Sequence, residues 1–213
     1  MGGFRHKEER IPAYYLASNK GYHAAQEVME EIRSAGFRTE TLELPARSLA
    51  LENGIGTAGK NGLLYLSGIG SRFALYTLVT DACEPILPRE SNPLGCGNCT
   101  LCVTACPATA IDKAEGLTPQ KCMRYHMETE NHPEWVQAIM PGYLGCEICQ
   151  QVCPKNAALK VAEPPEEIRK AFDLMRLASG DTADARRLVG RNITKRGKLT
   201  NEAHVFLKRD GAE

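Results

Sequence analysis

No stretch of this sequence approaches the roughly 20 apolar residues that a membrane-spanning helix needs. No apolar segment follows the charges of the first ten positions, as one would in a signal peptide. A membrane partner is therefore not expected, and the protein is expected in the cytoplasm. Net charge is missing too. The 26 basic side chains are balanced by 26 acidic ones, so no global field draws nucleic acid or a membrane surface. Catalytic signatures are equally scarce: there is no Ser–His–Asp pattern, no paired-carboxylate signature and no dinucleotide fingerprint. Gly59-Lys60-Asn61 lacks the spacing and the following hydroxyl residue of a P-loop. The histidines His6, His23, His126, His132 and His204 show no ligand-like pairing.

What the sequence does have is cysteine, nine in all. Clustered cysteines in a reducing cytoplasm bind metal or do redox work far more often than they form disulfides. The first run is Cys96-Gly-Asn-Cys99-Thr-Leu-Cys102-Val-Thr-Ala-Cys106-Pro107. This is the C-x2-C-x2-C-x3-C-P spacing of bacterial ferredoxins, in which three cysteines hold one cubane and the fourth crosses to its neighbour. The second run, Cys146-Glu-Ile-Cys149-Gln-Gln-Val-Cys153-Pro154, has the same ending but only two cysteines before the crossing position. Cys122, between the runs, is expected to supply the missing thiolate. The expected ligand sets are Cys96, Cys99, Cys102 and Cys153 for one [4Fe–4S] cluster, and Cys106, Cys122, Cys146 and Cys149 for the other. All-cysteine zinc is the competing chemistry; two C-x3-C-P endings and a triple C-x2-C-x2-C argue against it. Cys83 stands apart and is expected to be a plain buried thiol.

Around this module the pattern is mixed helix and strand. Residues 11–17 read as a short buried strand, and residues 22–35 as a helix with Ala25, Val28, Met29 and Ile32 on one face. Gly36 stands where a C-terminal cap belongs. A strand over 37–44 and a helix opened by Pro45 complete a β–α–β–α order, which argues for a small α/β layer. From Gly54 to Gly70 glycine is dense. Either backbone packs there against something large, or the glycines are tight turns between strands near 63–67 and 73–80. After Pro164-Pro165 an amphipathic helix is expected over about 166–179. The basic residues Arg186, Arg187, Arg191, Lys195, Arg196 and Lys198 form either a solvated face or a contact for a phosphate backbone.

Several motifs occur in one order. These are Gly54-Ile-Gly-Thr-Ala-Gly-Lys-Asn61, Gly70-Ser71, Thr80-Asp81, the first cysteine run, Cys122-Met-Arg-Tyr125, and Gly145-Cys146 through Asn156. That order resembles the cobalamin-dependent epoxyqueuosine reductase family of tRNA queuosine synthesis and its reductive-dehalogenase relatives, from about Tyr22 to Arg209. The resemblance implies two [4Fe–4S] clusters beside a corrinoid (cobalamin). Gly56, Gly59, Lys60, Asn61, Gly70 and Ser71 would be its cofactor-binding residues. It further implies a fold of α+β class, with a partial α/β corrinoid-type domain over 1–90 and a two-cluster ferredoxin-like module over 91–160. A short helical tail over 161–213 follows. The chain resembles a short form without part of the family's N-terminal domain and without its helical-repeat tail. Thr57 replaces the family's tryptophan. The family's catalytic aspartate has no counterpart, and Glu40 and Glu43 lie nearest. The implied function is to pass electrons from an external low-potential donor through the clusters to the corrinoid. The clusters suit this task because [4Fe–4S] potentials reach down to about −700 mV. Two other readings stand beside it: a two-cluster electron carrier without corrinoid, and a module that binds tRNA or a corrinoid protein.

Overall fold

The computed structural model describes residues 4–6, 9–82, 95–127, 132–142, 144–159, 164–190 and 197–209. Strands β1 (Phe4–His6) and β2 (Glu9–Ile11) pair antiparallel and lead into α1 (Ala13–Ser34), the longest helix described. The helix starts at Ala13, so the strand expected over 11–17 and the helix expected from 22 are in fact a strand end followed by one continuous helix. Tyr15 and Leu16, which made the segment look like a buried strand, enter the core from the first turn of α1. Gly36 ends the helix as expected. Its φ is +92°, its N–H donates to Arg33 O, and the Phe37 N–H donates to Ile32 O, which closes the last turn in a Schellman arrangement.

The α/β layer is modest. Strand β3 (Thr39–Glu40) pairs antiparallel with β6 (Val79–Thr80), and β4 (Thr57–Ala58) with β5 (Leu64–Tyr65). Helix α2 (Ala46–Glu52) lies between. The strands expected over 37–44, 63–67 and 73–80 are thus reduced to two residues each. A further antiparallel pair, β7 (Ile111–Asp112) with β8 (Gly116–Leu117), sits inside the cysteine module. All four sheets among the described residues have two strands.

The main core lies toward the C-terminus. Helices α5 (Glu134–Ile139), α7 (Glu166–Ala171), α8 (Leu174–Ala178), α9 (Ala183–Val189) and α10 (Lys198–Arg209) contribute Val136, Ala171, Leu177, Ala185 and Leu199 to it. On α10 the buried positions Leu199, Ala203, Phe206 and Leu207 follow the i, i+4, i+7, i+8 pattern of one helical face. The single helix expected over 166–179 is broken between α7 and α8. The Asp173 carboxylate accepts from the Arg176 N–H at 2.9 Å and caps a new helix, while fully buried Phe172 occupies the corner. Large apolar residues left exposed, such as Tyr22, Val28, Phe37 and Leu42, are concentrated in the N-terminal part. No helix among the described residues is long and apolar enough to cross a membrane.

Candidate iron–sulfur centre

The two cysteine runs fold alike. In the first, Cys99 N–H donates to Cys96 O in a turn whose Gly97 has φ +48°, and α3 (Leu101–Ala105) carries Cys102. Cys106 then leaves the helix in extended backbone (φ −72°, ψ 110°), immediately before Pro107. In the second run α6 (Ile148–Gln151) carries Cys149, and Cys153 leaves in nearly the same conformation (φ −77°, ψ 121°) before Pro154. Helices α3 and α6 pack together. Cys122 sits between a 3-10 turn (Pro119–Lys121) and α4 (Met123–His126).

The thiols of the two runs and of Cys122 act on one another. Burial raises the Cys102 thiol, and the neighbours acting on it include Cys96, Cys153 and Cys99. Burial pushes Cys146 up to about 11, with Cys122 and Cys106 adding to it. Burial likewise pushes Cys149 up to about 12, helped by Cys146, Cys122 and, across the gap between the sets, Cys102. A thiolate is the form that binds iron, and burial disfavours that form at Cys102, Cys146 and Cys149. Backbone donors offset part of that. The Lys60 N–H reaches Cys96 Sγ at 3.4 Å, the Ala110 N–H reaches Cys106 Sγ at 3.3 Å, and the Ile148 N–H points at Cys146. All eight described cysteines are free of disulfides. Among the described residues, no three side chains of histidine, cysteine, aspartate or glutamate close on one point as they would around a single metal ion. Cys83 lies outside the described residues.

The glycine motif lies against these loops. Lys60 Nζ donates to Gly97 O at 2.7 Å and to Cys99 O at 2.8 Å, fixing the first loop from outside. Asn61 Nδ2 donates to Tyr65 Oη at 2.8 Å. A side chain on Gly59 would stand 2.5 Å from the Tyr65 ring. At Gly70 (φ +70°) it would collide with Asn156 Oδ1 and stand 2.8 Å from Lys155 O. The next residue, Ser71, is clasped by the second loop: its N–H donates to Asn156 Oδ1 at 2.8 Å, and Asn156 Nδ2 donates to Gln150 O at 2.9 Å. Gly62 and Gly70 thus pack closely on the cysteine module, at Leu117 and at Lys155–Asn156, while Gly56 and Gly59 pack on the β4–β5 hairpin itself.

Two cavities adjoin the second run. One of about 390 Å³ is lined by Leu64, Ser71, Arg72, Cys146, Glu147 and Gln150. Of the six expected cofactor-binding residues, only Ser71 lines it. The Arg72 guanidinium buries Nε and Nη1 without a hydrogen-bond partner. The other cavity, about 830 Å³, lies between α1 and the α9–α10 segment; Tyr22, Tyr76, Arg186, Arg187, Lys198 and Glu202 line it. Tyr14 and Arg124 border both, and the Arg124 guanidinium lies 4.9 Å from the Tyr15 ring centre. Arg191, Lys195 and Arg196 fall outside the described residues. Glu40, in β3, and Glu43 are exposed, and neither lines these cavities. Sequence reasoning missed Tyr65 and Arg72, whose roles depend on partners distant in sequence. Asn156 was visible only as the end of the second motif.

Residues 95–156 match the family described as a 4Fe-4S double cluster binding domain. The chain is accordingly a protein of two [4Fe–4S] clusters. Across 176 residues it is 31% identical to the epoxyqueuosine reductase of Aliivibrio fischeri, covering 78% of this chain and 47% of that one. Across 123 residues it is 37% identical to the epoxyqueuosine reductase of Lactococcus garvieae, covering 56% of this chain and 34% of that one. The fold matches the epoxyqueuosine reductase structure of Bacillus subtilis, with a TM-score of 0.72 at 22% identity over 98% of this chain and 62% of the other. The chain is thus similar to epoxyqueuosine reductases, and it spans less than half the length of either of these two curated relatives.

Proposed function

We propose that the chain is an iron–sulfur oxidoreductase that passes low-potential electrons from an external donor through its two clusters to a corrinoid at the cavity beside Cys146. The ligands are Cys96, Cys99, Cys102 and Cys153 for the first cluster, and Cys106, Cys122, Cys146 and Cys149 for the second. The observation that carries this reading is the direction built into the pair. Cys99 is exposed, while Cys146 is half-buried against a cavity. An electron donor has access to the first loop, and the second cluster faces a space for a reacting molecule. A bound corrinoid supplies the low-valent metal chemistry of the organic step. The chain's own residues give the cavity its charge. Arg47, Arg72 and Arg124 face Glu147 there, and the unpartnered nitrogens of Arg72 favour an anionic group. A related structure, 23% identical with a TM-score of 0.71, was solved with an epoxyqueuosine-modified tRNA stem loop. The basic and tyrosine-rich larger cavity suits such a substrate, since stacking faces and cations together hold unpaired nucleotides.

Gly56, Gly59, Lys60, Asn61 and Gly70 line neither cavity, and Lys60 and Gly70 lie against the cysteine loops instead; this favours a second reading, an electron carrier without corrinoid. Titration of the anaerobically loaded protein with cob(II)alamin decides between the two. A base-off spectral change at micromolar concentration is expected. Its absence up to high micromolar concentration leaves the carrier reading.

A further inference from the structure

Among the described residues that line the larger cavity, Glu202 is the only acid. Its side chain is also deeply buried, at 6% exposure. His132 Nε2 donates to its Oε1 at 3.0 Å, while its Oε2 has no hydrogen-bond partner. Asn61, Ser71 and Asn156, which are similarly buried, are hydrogen-bonded. A buried carboxylate oxygen left unpaired costs stability. The packing of α10 does not call for it, since Leu199, Ala203, Phe206 and Leu207 already supply the helix's apolar face. An acceptor kept at that cost on a cavity wall suits a ligand that brings donors.

The rest of the wall narrows the class of ligand. Tyr14, Tyr22 and Tyr76 are exposed rings there, and Arg186 and Arg187 add positive charge. Rings and cations hold unpaired nucleotides whatever the base, so they do not choose among bases. A fixed acceptor does choose, because unpaired bases are read on their hydrogen-bonding edges. We infer that Glu202 selects the base held in this cavity, and that the base is one with a guanine edge. The inference rests on the reading of the larger cavity as a site for unpaired nucleotides. A carboxylate presents two acceptor oxygens side by side, and Oε1 retains a lone pair after accepting from His132. Guanine presents two donors side by side, N1–H and the N2 amino group, which match both oxygens. Adenine and cytosine set an amino group beside a bare ring nitrogen, whose lone pair repels the second oxygen. Uracil has a single N–H between two carbonyls. His132 is the positioning residue, since its hydrogen bond to Oε1 fixes the plane of the carboxylate.

The test measures binding of the fully loaded protein to a labelled RNA hairpin with a single guanine in a loop otherwise made of uridine. A second hairpin replaces that guanine by inosine, which lacks only the N2 amino group. Wild type is expected to bind the guanine hairpin about tenfold more tightly, within the range that a good bidentate base contact gives. Glu202→Gln should abolish the preference. The glutamine oxygen is needed by His132, which turns the amide hydrogens toward the donors of the base. Equal affinity of wild type for the two hairpins overturns the role of Glu202 and leaves the cavity as a nucleotide site. A preference that survives in Glu202→Gln does the same. If wild type binds neither hairpin, the reading of the cavity falls and the inference falls with it.

Discussion

The first cysteine loop is open to solvent at Cys99 and is fixed from outside by the Lys60 side chain. The loop of Cys146 and Cys149 lies beneath the N-terminal part of the chain, with Tyr15 packed on Gly145 and Asn156 clasping Ser71. Near-identical spacing has thus been placed in two environments, one suited to meeting a partner and one suited to shielding a reaction. Local sequence defines the shape of each loop, and what lies on top of it defines the surroundings.

Breaking the second set should give the largest effect. Because the second run is one cysteine short, Cys122→Ala is expected to remove one cluster and spare the other. Iron and sulfide should fall from about eight to about four of each per chain, since each cluster contains four of each. Two intact clusters in that variant would show that Cys122 is a bystander. Cys83→Ala is expected to leave both clusters in place.

A smaller effect should come from loosening the cover over the second loop. Asn156 is 4% exposed and joins Ser71 to Gln150 by hydrogen bonds. Asn156→Ala leaves the buried Ser71 N–H unpaired, at about 1–3 kcal/mol. Denaturant unfolding should show that loss, with the second cluster bleaching before the first. Simultaneous bleaching of the two would mean that they do not differ in protection.

The smallest expected effect concerns Glu202, on the wall of the larger cavity. Burial raises its carboxyl, and His132 Nε2, 3.0 Å away, offsets only part of that. A carboxyl raised in the folded state adds stability below its unfolded value, and the gain is lost as pH rises through the folded one. Glu202→Gln is therefore expected to melt higher than wild type near neutral pH, and the gain should shrink toward the ordinary glutamate value of about 4.3. A variant that melts lower at neutral pH would show that the His132 partner outweighs burial.

The cysteine module was the most legible part of the sequence, because ligand spacing is local chemistry written in one residue type. The start of α1 was misread for an equally physical reason. Tyr15 and Leu16 are buried, and a short apolar run looks the same in a buried helix as in a strand. The break at Phe172 and Asp173 was hidden because the apolar spacing on both sides continues in phase, although an aspartate followed by a helical run is itself a start signal. The roles of Tyr65, Arg72 and Asn156 come from contacts made across long stretches of chain, and no single window of sequence contains them.

The nearness of Cys102 to Cys153 also has a consequence for how the protein is made. On the proposed assignment, each set of four takes its last member from the second run, so neither can close while the ribosome is still short of Cys149 or Cys153. A nascent chain that has reached only Cys106 presents exposed thiols and an unfinished metal site. Cluster delivery is thus timed to a late stage of synthesis, and truncated products should leave the ribosome without a complete cluster.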